Sequence, residues 1–132
     1  MKYLLAVVVL LALIVLLFSA CTSNKFAKYE ILQGKELEGK IRVYGEPDKK
    51  IRWNIVSDNE ISLEIKIMAK DDVLYSSPKL KDEFKTDVSN TELMVKVINK
   101  SGKDISFDGT FNYLYTGMAP NAVTVTKNIR LQ

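Results

Sequence analysis

The chain has 132 residues and a formal net charge of +3. It contains no histidine and only one cysteine, which excludes the usual general base, the usual zinc ligand, Ser-His and Cys-His pairs and any internal disulfide. Acidic and basic residues are interspersed without a basic stripe, so nothing in the sequence indicates a nucleic-acid partner.

An uncharged apolar run stands near the start of the chain. It covers residues 3–18 and is followed by the small residues Ser19 and Ala20 and then by Cys21. As a helix, residues 3–20 would be about 27 Å long, which is marginal for a hydrocarbon core of about 30 Å. The small residues before Cys21 suit a signal peptidase, and polar residues follow at once. We therefore interpret residues 1–20 as a signal peptide or a membrane anchor.

Lys2, the apolar run, the small pair and Cys21 together resemble a bacterial lipoprotein signal peptide that ends in a lipobox. The resemblance implies cleavage between Ala20 and Cys21 and lipidation of Cys21, with palmitate-type acyl chains. It also implies a lipid-anchored domain on the extracytoplasmic side of the cell membrane or outer membrane. Phe18 stands three residues before the cysteine, where lipoboxes usually carry an aliphatic residue. Two alternatives stay open: a retained anchor or ordinary signal peptide, and a buried hydrophobic helix of a cytosolic protein.

The remainder divides into a polar tether, residues 21–28, and a domain, residues 29–132. The tether would extend over roughly 25 Å at most. In the domain the apolar residues recur with a period of two, which is typical of strands with one buried face. The alternating sets are Leu37, Ile41 and Val43; Ile51, Trp53 and Ile55; Ile61, Leu63, Ile65 and Ile67; Leu93, Val95 and Val97; and Val123 and Val125.

Turn-forming residues separate these strands. They lie at positions 45–48, 57–59, 70–72, 76–78 and 99–103. The domain has no convincing amphipathic helix. Strands at this spacing predict an all-β fold, a single antiparallel β-sandwich of about seven or eight strands behind the N-terminal signal or anchor helix.

Two stretches allow more than one interpretation. Asp108 and Gly109 form a strong hairpin signal, but a turn there would place Phe107 and Phe111 on opposite faces. We therefore predict one long strand, with Gly109 as a bulge or as a place where a neighbouring side chain packs over bare backbone. Residues 79–87 are mostly polar and predict a long loop that crosses between the sheets, with a short helical turn as the alternative.

The order of these elements resembles the GOLD domain, a β-sandwich from the lumenal part of p24-type cargo receptors. The resemblance covers roughly residues 50–110. It is carried by Trp53, the strand at 61–67, the polar crossover, the strand at 93–98 leading into Asn99-Lys100-Ser101, and the strand through Ile105 and Phe107. Thr91-Glu92 replaces the family's glycine-tyrosine pair, and a further strand pair follows Phe107. The resemblance implies a protein-interaction or cargo-binding role without catalysis.

The acidic residues offer little catalytic chemistry. They form the pairs Asp71-Asp72 and Asp82-Glu83 and the single Asp87. Their spacing lacks the alternating ligands of a calcium loop, and they lie in polar runs rather than in the apolar pocket that a glycosidase acid needs. We interpret them as solvated turns, so the sequence predicts no catalytic residue, no metal and no cofactor.

Two further sets of residues have a structural and a functional interpretation. Asn99-Lys100-Ser101 is a formal N-glycosylation acceptor, although we favour an ordinary turn there and keep modification of Asn99 as the alternative. The aromatic residues Phe107, Phe111, Tyr113 and Tyr115 predict core packing, or a ligand groove if their face is open.

Together these observations predict a small membrane-tethered lipoprotein that is exported and is not an enzyme. Its β-sandwich would be an interaction module for an exported or envelope protein, and its membrane contact would be a lipid or the N-terminal helix. The alternative is a single-pass structural subunit of an envelope or secretion complex. No small-molecule substrate is identified.

Overall fold

The computed structural model describes residues 26–117 and 123–132 of the chain. These residues form nine β-strands and no helix, which confirms the predicted all-β class. The strands are β1 (Ala27–Ile31), β2 (Glu36–Val43), β3 (Lys49–Val56), β4 (Leu63–Ala69), β5 (Asp72–Ser77), β6 (Lys81–Thr86), β7 (Thr91–Asn99), β8 (Ile105–Thr116) and β9 (Thr124–Asn128). The predicted number of seven or eight strands is too low, because β1, β5 and β6 have only five or six residues each and show no run of alternating aliphatic residues.

The strands form two antiparallel sheets in a sandwich-like arrangement. In the five-stranded sheet, β1 and β9 lie end to end along one edge of β8, and β3 and then β6 follow on the other edge. The four-stranded sheet has the order β2-β7-β4-β5. A single apolar core draws residues from both sheets, which is the layer arrangement that strands with one apolar face require.

Most inward residues are those that the alternating pattern predicts, but Val123 is exposed, and Ile129 and Leu131, which the pattern does not mark, are buried after β9. Trp53 is fully buried, and its Nε1 donates a hydrogen bond to the carbonyl of Lys79 at 2.9 Å, which satisfies the one polar group of the ring. The other large side chains with almost no exposure include Ile51, Ile65, Ile67, Leu93, Val95, Val97, Phe111 and Tyr113.

The long strand predicted across Asp108 and Gly109 is confirmed, and the hairpin is excluded. Gly109 pairs with Ile55 on one side and with Ala27 on the other without a break in register. A Cβ atom at Gly109 would lie 3.1 Å from the ring of Phe111 and 3.4 Å from that of Phe107. The aromatic rings therefore cover bare backbone at this position, as predicted.

The prediction of a long loop at residues 79–87 is wrong. Residues 81–86 form β6, an edge strand of the five-stranded sheet, and only residues 78–80 cross between the sheets. The inward side chains of β6 are Asp82, Phe84 and Thr86, of which only Phe84 is apolar. An edge strand needs less apolar cover than a central one, so its pattern of alternation is concealed in the sequence.

β1 begins at Ala27, within the segment predicted as tether, and pairs with β8. The predicted signal or anchor helix, residues 1–20, lies outside the described residues.

One long side of the sandwich, here called the crossover side, brings β5 next to β6. Residues 78–80 link the two strands, and the backbone N–H of Ile55 in β3 donates to the carbonyl of Leu80 at 2.8 Å. Tyr75 of β5 stacks on Phe84 of β6, with ring centroids 5.0 Å apart and planes inclined by 14°. These contacts join the edge strands of the two sheets.

The opposite long side, here called the C-terminal side, is closed by the last four residues of the chain. They leave β9 and reach β2, where Gln132 and Glu38 exchange two backbone hydrogen bonds of 2.9 and 3.0 Å. Ile129 and Leu131 are buried on the way. A Cβ atom at Gly39 would lie 2.6 Å from the carbonyl oxygen of Arg130, so only glycine lets the segment pass this close to β2.

Candidate functional site

Three of the four aromatic residues of β8 belong to the core, and the fourth, Tyr115, borders a groove at the end of the strand. Phe107, Phe111 and Tyr113 are at most 3% exposed, and Tyr115 is half-buried at the end of the strand. The rings of Tyr113 and Tyr115 lie 5.2 Å apart. Core packing is therefore confirmed for Phe107, Phe111 and Tyr113, whereas Tyr115 lines a groove.

Asn99 is buried at the end of β7 and is part of a closed hydrogen-bond network. Its Nδ2 donates to the carbonyls of Ile31, Leu32 and Lys103 at 3.0, 3.3 and 2.7 Å. Its Oδ1 accepts a hydrogen bond from the backbone N–H of Ser101 at 2.8 Å. In the folded domain the nitrogen that a glycan would modify is therefore engaged and shielded, and Asn99 ties the β1–β2 loop to the β7–β8 loop.

Most of the candidate acids are exposed, but the interpretation as a solvated turn is wrong for Asp82, which is half-buried in β6. Its Oδ2 accepts hydrogen bonds from the Tyr75 hydroxyl at 2.6 Å and the Ser77 hydroxyl at 3.0 Å. The Tyr75 hydrogen bond, followed by one from the backbone N–H of Glu83, lowers the pKa of Asp82 below its usual value. The exposed acids are Asp71, Asp72, Glu83 and Asp87. In residues 26–117 and 123–132, no group of three metal-ligating side chains is placed to hold an ion.

The outer face of the four-stranded sheet carries charges of both signs that lie beside one another. Its ion pairs are Lys40–Glu92 at 4.0 Å, Lys96–Glu36 at 3.7 Å, Lys66–Glu64 at 3.8 Å and Lys100–Glu64 at 3.7 Å. Arg42 also lies directly opposite Glu92 in the register of β2 and β7. Exposed pairs of this kind add little to stability, but they leave this face electrically balanced.

The outer face of the five-stranded sheet differs because basic side chains converge on a groove. The groove has a volume of about 510 Å³, and Lys50 and Arg52 of β3 and Lys85 of β6 line it. Leu114 of β8 is its apolar floor, since this side chain is 8% exposed and yet lies outside the core cluster. We call this feature the basic groove.

The end of the basic groove nearest the β2–β3 loop has a different character. The hydroxyl-bearing residues Thr116 and Thr124 line it, together with the carboxylate of Asp48. The groove thus has a cationic end at β3 and β6 and a hydroxyl-rich end with one acid at β8 and β9.

Two lysines of the basic groove face each other directly. Lys50 and Lys85 are cross-strand partners in the register of β3 and β6, and like charges in this position destabilise a sheet. The nearest acid, Glu83, is shared between Arg52 at 3.3 Å and Lys50 at 3.8 Å. Among the described residues, Lys85 takes part in no ion pair.

The four-stranded sheet also contains a cross-strand pair of lysines, but there carboxylates compensate both charges. The two partners are Lys66 and Lys96, and both have a carboxylate within 4 Å. Lys96 has Glu36, and Lys66 has Glu64, which also pairs with Lys100. The charge at Lys85 is left without such a carboxylate, so the basic groove is the less balanced of the two surfaces.

The loops beside the basic groove are held in place by buried polar contacts. Lys49 is 5% exposed, and its ammonium group donates to the carbonyl of Tyr44 at 2.9 Å and to the hydroxyl of Ser89 at 2.6 Å. The Tyr113 hydroxyl donates to Glu46 at 3.3 Å. Burial raises the pKa of Tyr113 and the Glu46 carboxylate raises it further, so the hydroxyl stays a protonated donor.

Sequence reasoning missed the basic groove. The signal lies in two alternating runs, in which Lys50 and Arg52 stand between apolar residues of β3, and Lys81, Glu83 and Lys85 alternate in β6. Only the pairing of β3 with β6 brings the two runs together, and that pairing requires residues 81–86 to be recognised as a strand.

The predicted lipidation and cleavage residues, Cys21 and Ala20, lie outside the described residues. Within the part of the chain that the structure describes, no helix has the length and apolar character needed to cross a membrane. Comparisons with protein-family models, curated proteins and solved structures find no match.

Proposed function

We propose that this chain is a small exported lipoprotein that is tethered to a membrane and serves as a binding module without catalytic activity. Cys21 carries the lipid, and the domain that begins at β1 binds a partner through the basic groove. The observation that carries the binding role is the excess of positive charge at Lys50, Arg52 and Lys85 over an apolar floor.

The tether is supported by the order of residues near the start of the sequence. An uncharged run of residues 3–18 precedes the small pair Ser19 and Ala20 and the single cysteine. Cleavage before Cys21 would leave six residues, 21–26, ahead of β1, which begins at Ala27. At about 3.3 to 3.6 Å per residue, these six would hold the domain within roughly 22 Å of the bilayer.

The non-catalytic role is supported by the residues that the chain lacks and by the positions of its acids. The sequence has no histidine and no second cysteine. Asp82 and Glu83, the acids next to the crossover, already accept hydrogen bonds or form ion pairs with neighbouring side chains. The binding role that the GOLD resemblance implies agrees with this proposal and remains a prediction.

Intact-mass measurement of the protein extracted from membranes tests the tether. We expect a mass that corresponds to residues 21–132 plus a diacylglycerol adduct on Cys21. The variant Cys21→Ser should accumulate unprocessed or leave the membrane fraction, and Ser23→Ala should behave as the wild type. A full-length, unmodified mass would overturn the lipoprotein proposal.

A second candidate is a single-pass structural subunit that keeps residues 1–20 as an anchor. Phe18 favours it, because this position of a lipobox is usually aliphatic. The same mass measurement separates the two, since only the second candidate retains residues 1–20. Replacing Phe18 with Leu should leave processing unchanged if Cys21 is already a lipidation site.

A further inference from the structure

We infer that the basic groove is a binding site for a phosphate group. This inference rests on the proposed binding role and names the chemistry of the ligand. Its starting point is the cross-strand pair of Lys50 and Lys85, which face each other with one shared acid nearby. A like-charged pair in which Lys85 has no carboxylate within 4 Å and Lys50 shares one breaks a local rule of sheet stability, and such departures are expected at functional sites.

An oxyanion would remove this imbalance. Phosphate carries negative charge on several acceptor oxygens, so it can accept hydrogen bonds from two ammonium groups and a guanidinium at once. Arg52 is already oriented by Glu83 at 3.3 Å, which leaves the other guanidinium nitrogens available to a ligand. Lys85 has no carboxylate within 4 Å among the described residues.

The other end of the groove indicates how the ligand is oriented. Asp48 repels a second negative group, while the hydroxyls of Thr116 and Thr124 suit a polar, uncharged or amine-bearing part. Leu114 provides an apolar contact between the two ends. A phosphate joined to a small hydroxylated or amino group therefore matches the groove better than a polyanion does, and both lipid headgroups and soluble phosphate esters have this chemistry.

Two other grooves of the described residues lack this combination. One groove is lined by Arg42 and Lys70, but Glu92 lies directly opposite Arg42 in the sheet register. Another lies over Gly39, where the C-terminal segment crosses β2, and Glu38 stands beside its cations. Neither groove is lined by two cations that are cross-strand partners, as Lys50 and Lys85 are.

The test uses the full-length chain in a non-ionic detergent, with glycerol 3-phosphate as the soluble probe. Lys85→Glu is compared with Lys103→Glu, which changes the net charge equally at the opposite end of the domain, in the β7–β8 loop. Binding is measured by calorimetry and by the shift in melting temperature. We expect saturable binding to the wild type and to Lys103→Glu, and at least a roughly tenfold loss of affinity in Lys85→Glu.

Without ligand, the Lys85 variants are expected to be more stable than the wild type, although they bind the probe less tightly. Lys85→Glu should raise the melting temperature by about 1–5 °C, because it replaces a like-charged pair with an opposite one. Lys85→Gln should show a smaller rise and also lose affinity, so the test stands if the charge-reversal variant fails to fold. Equal binding by the wild type and both Lys85 variants, or no binding by the wild type in either arm, would overturn the inference.

A lipid arm identifies the source of the phosphate. Full-length protein is reconstituted in nanodiscs of phosphatidylcholine alone or with phosphatidylglycerol. A lipid headgroup occupies the groove if two results are obtained together. Phosphatidylglycerol must weaken the binding of glycerol 3-phosphate to the wild type, and it must raise the melting temperature of the wild type but not that of Lys85→Gln. If phosphatidylglycerol leaves the binding of glycerol 3-phosphate unchanged, the ligand of the groove is a soluble phosphate ester. If the wild-type protein carries the Cys21 adduct but does not bind glycerol 3-phosphate, this inference is rejected and the lipoprotein proposal stays in place.

Discussion

On the crossover side of the domain the two sheets are joined by the chain itself, through residues 78–80 between β5 and β6. On the C-terminal side they are joined by a terminal segment that leaves β9 and reaches β2. The first side combines the Tyr75–Phe84 stack with side-chain hydrogen bonds to the carboxylate of Asp82. The second combines burial of Ile129 and Leu131 with backbone hydrogen bonds to Glu38. Only the first side includes titratable side chains in these contacts, so the two sides should respond differently to mutation and to pH.

The largest effect is expected from removal of residues 129–132. Their removal leaves empty the sites that Ile129 and Leu131 fill, and each buried side chain contributes about 1.5–3 kcal/mol to stability. It also removes two backbone hydrogen bonds to Glu38. We expect the free energy of unfolding to fall by about 3–6 kcal/mol. Trp53 is the only tryptophan and is fully buried, so its fluorescence reports the transition. Gln132→Ala keeps the backbone contacts and serves as the control, and equal stability of the truncated and control proteins would contradict the prediction.

The next effect concerns the space over Gly39. In Gly39→Ala the new methyl group would lie 2.6 Å from the Arg130 carbonyl oxygen, so the C-terminal segment must shift away from β2. We expect a loss of about 1–3 kcal/mol, as for other overpacked sites. Gly45→Ala is the matched control, because a Cβ atom at that position would meet nothing within 4 Å. Thermal unfolding by circular dichroism distinguishes them, and a Gly39→Ala curve that overlays the control would show that the segment does not need the glycine.

On the crossover side, Asp82→Ala should have a smaller effect. It leaves the hydroxyls of Tyr75 and Ser77 without their shared acceptor, and water can partly replace it because this region is half-buried. We expect a loss of about 1–2 kcal/mol in the free energy of unfolding. Asp71→Ala, in the exposed β4–β5 turn, removes the same charge without these contacts. A similar loss in both variants would mean that charge, and not the hydrogen bonds, is responsible.

The smallest effect is the pH dependence of the Tyr75–Asp82 hydrogen bond. The pKa of Asp82 is lowered, first by this bond, so its stabilisation is present above the ordinary carboxyl pKa and is lost as the pH falls through the lowered value. The pKa of Tyr75 is raised, first by the same bond, so its stabilisation is present below the ordinary tyrosine pKa and is lost as the pH rises through the raised value.

The stability difference between the wild type and Tyr75→Phe should therefore be constant between about pH 5 and pH 9 and should shrink outside that window. Urea unfolding of both proteins at a series of pH values measures it. The difference between the wild type and Gly39→Ala should not follow this profile, because a methyl group at Gly39 would meet a backbone carbonyl and two aliphatic side chains, none of which titrates. A difference that shrank in the middle of the range would contradict the assignment of the bond.

The parts of the fold that the sequence reveals are those in which burial alone decides the pattern. β3, β4 and β7 alternate between aliphatic and polar residues because one face of each packs in the core. The length of β8 follows from the same rule, since only a continuous strand keeps its aromatic residues on one face. Local periodicity is sufficient in these cases.

The parts that the sequence conceals depend on partners far away in the chain. The inward side of β6 is only partly covered because the strand lies at a sheet edge. Polar residues, Asp82 and Thr86, therefore stand at inward positions where the sequence of a central strand would show apolar residues. The basic groove combines Lys50 with Lys85, which are adjacent only through the β3–β6 register. The burial of Asn99 depends on the β1–β2 loop, because two carbonyls of that region accept its hydrogen bonds. Non-local register of this kind cannot be read from local residue types.

The position of β8 also determines when the domain can fold. The four-stranded sheet has all its strands once the chain reaches Asn99, whereas the five-stranded sheet needs β8 before β1 or β3 can pair on either side of it. β1 then waits for a partner at the far end of the sequence, a connection of high contact order that slows folding to the millisecond-to-second range or beyond. During synthesis the basic groove, which takes residues from β3, β6, β8 and β9, can therefore be completed only after all strands of the four-stranded sheet are present.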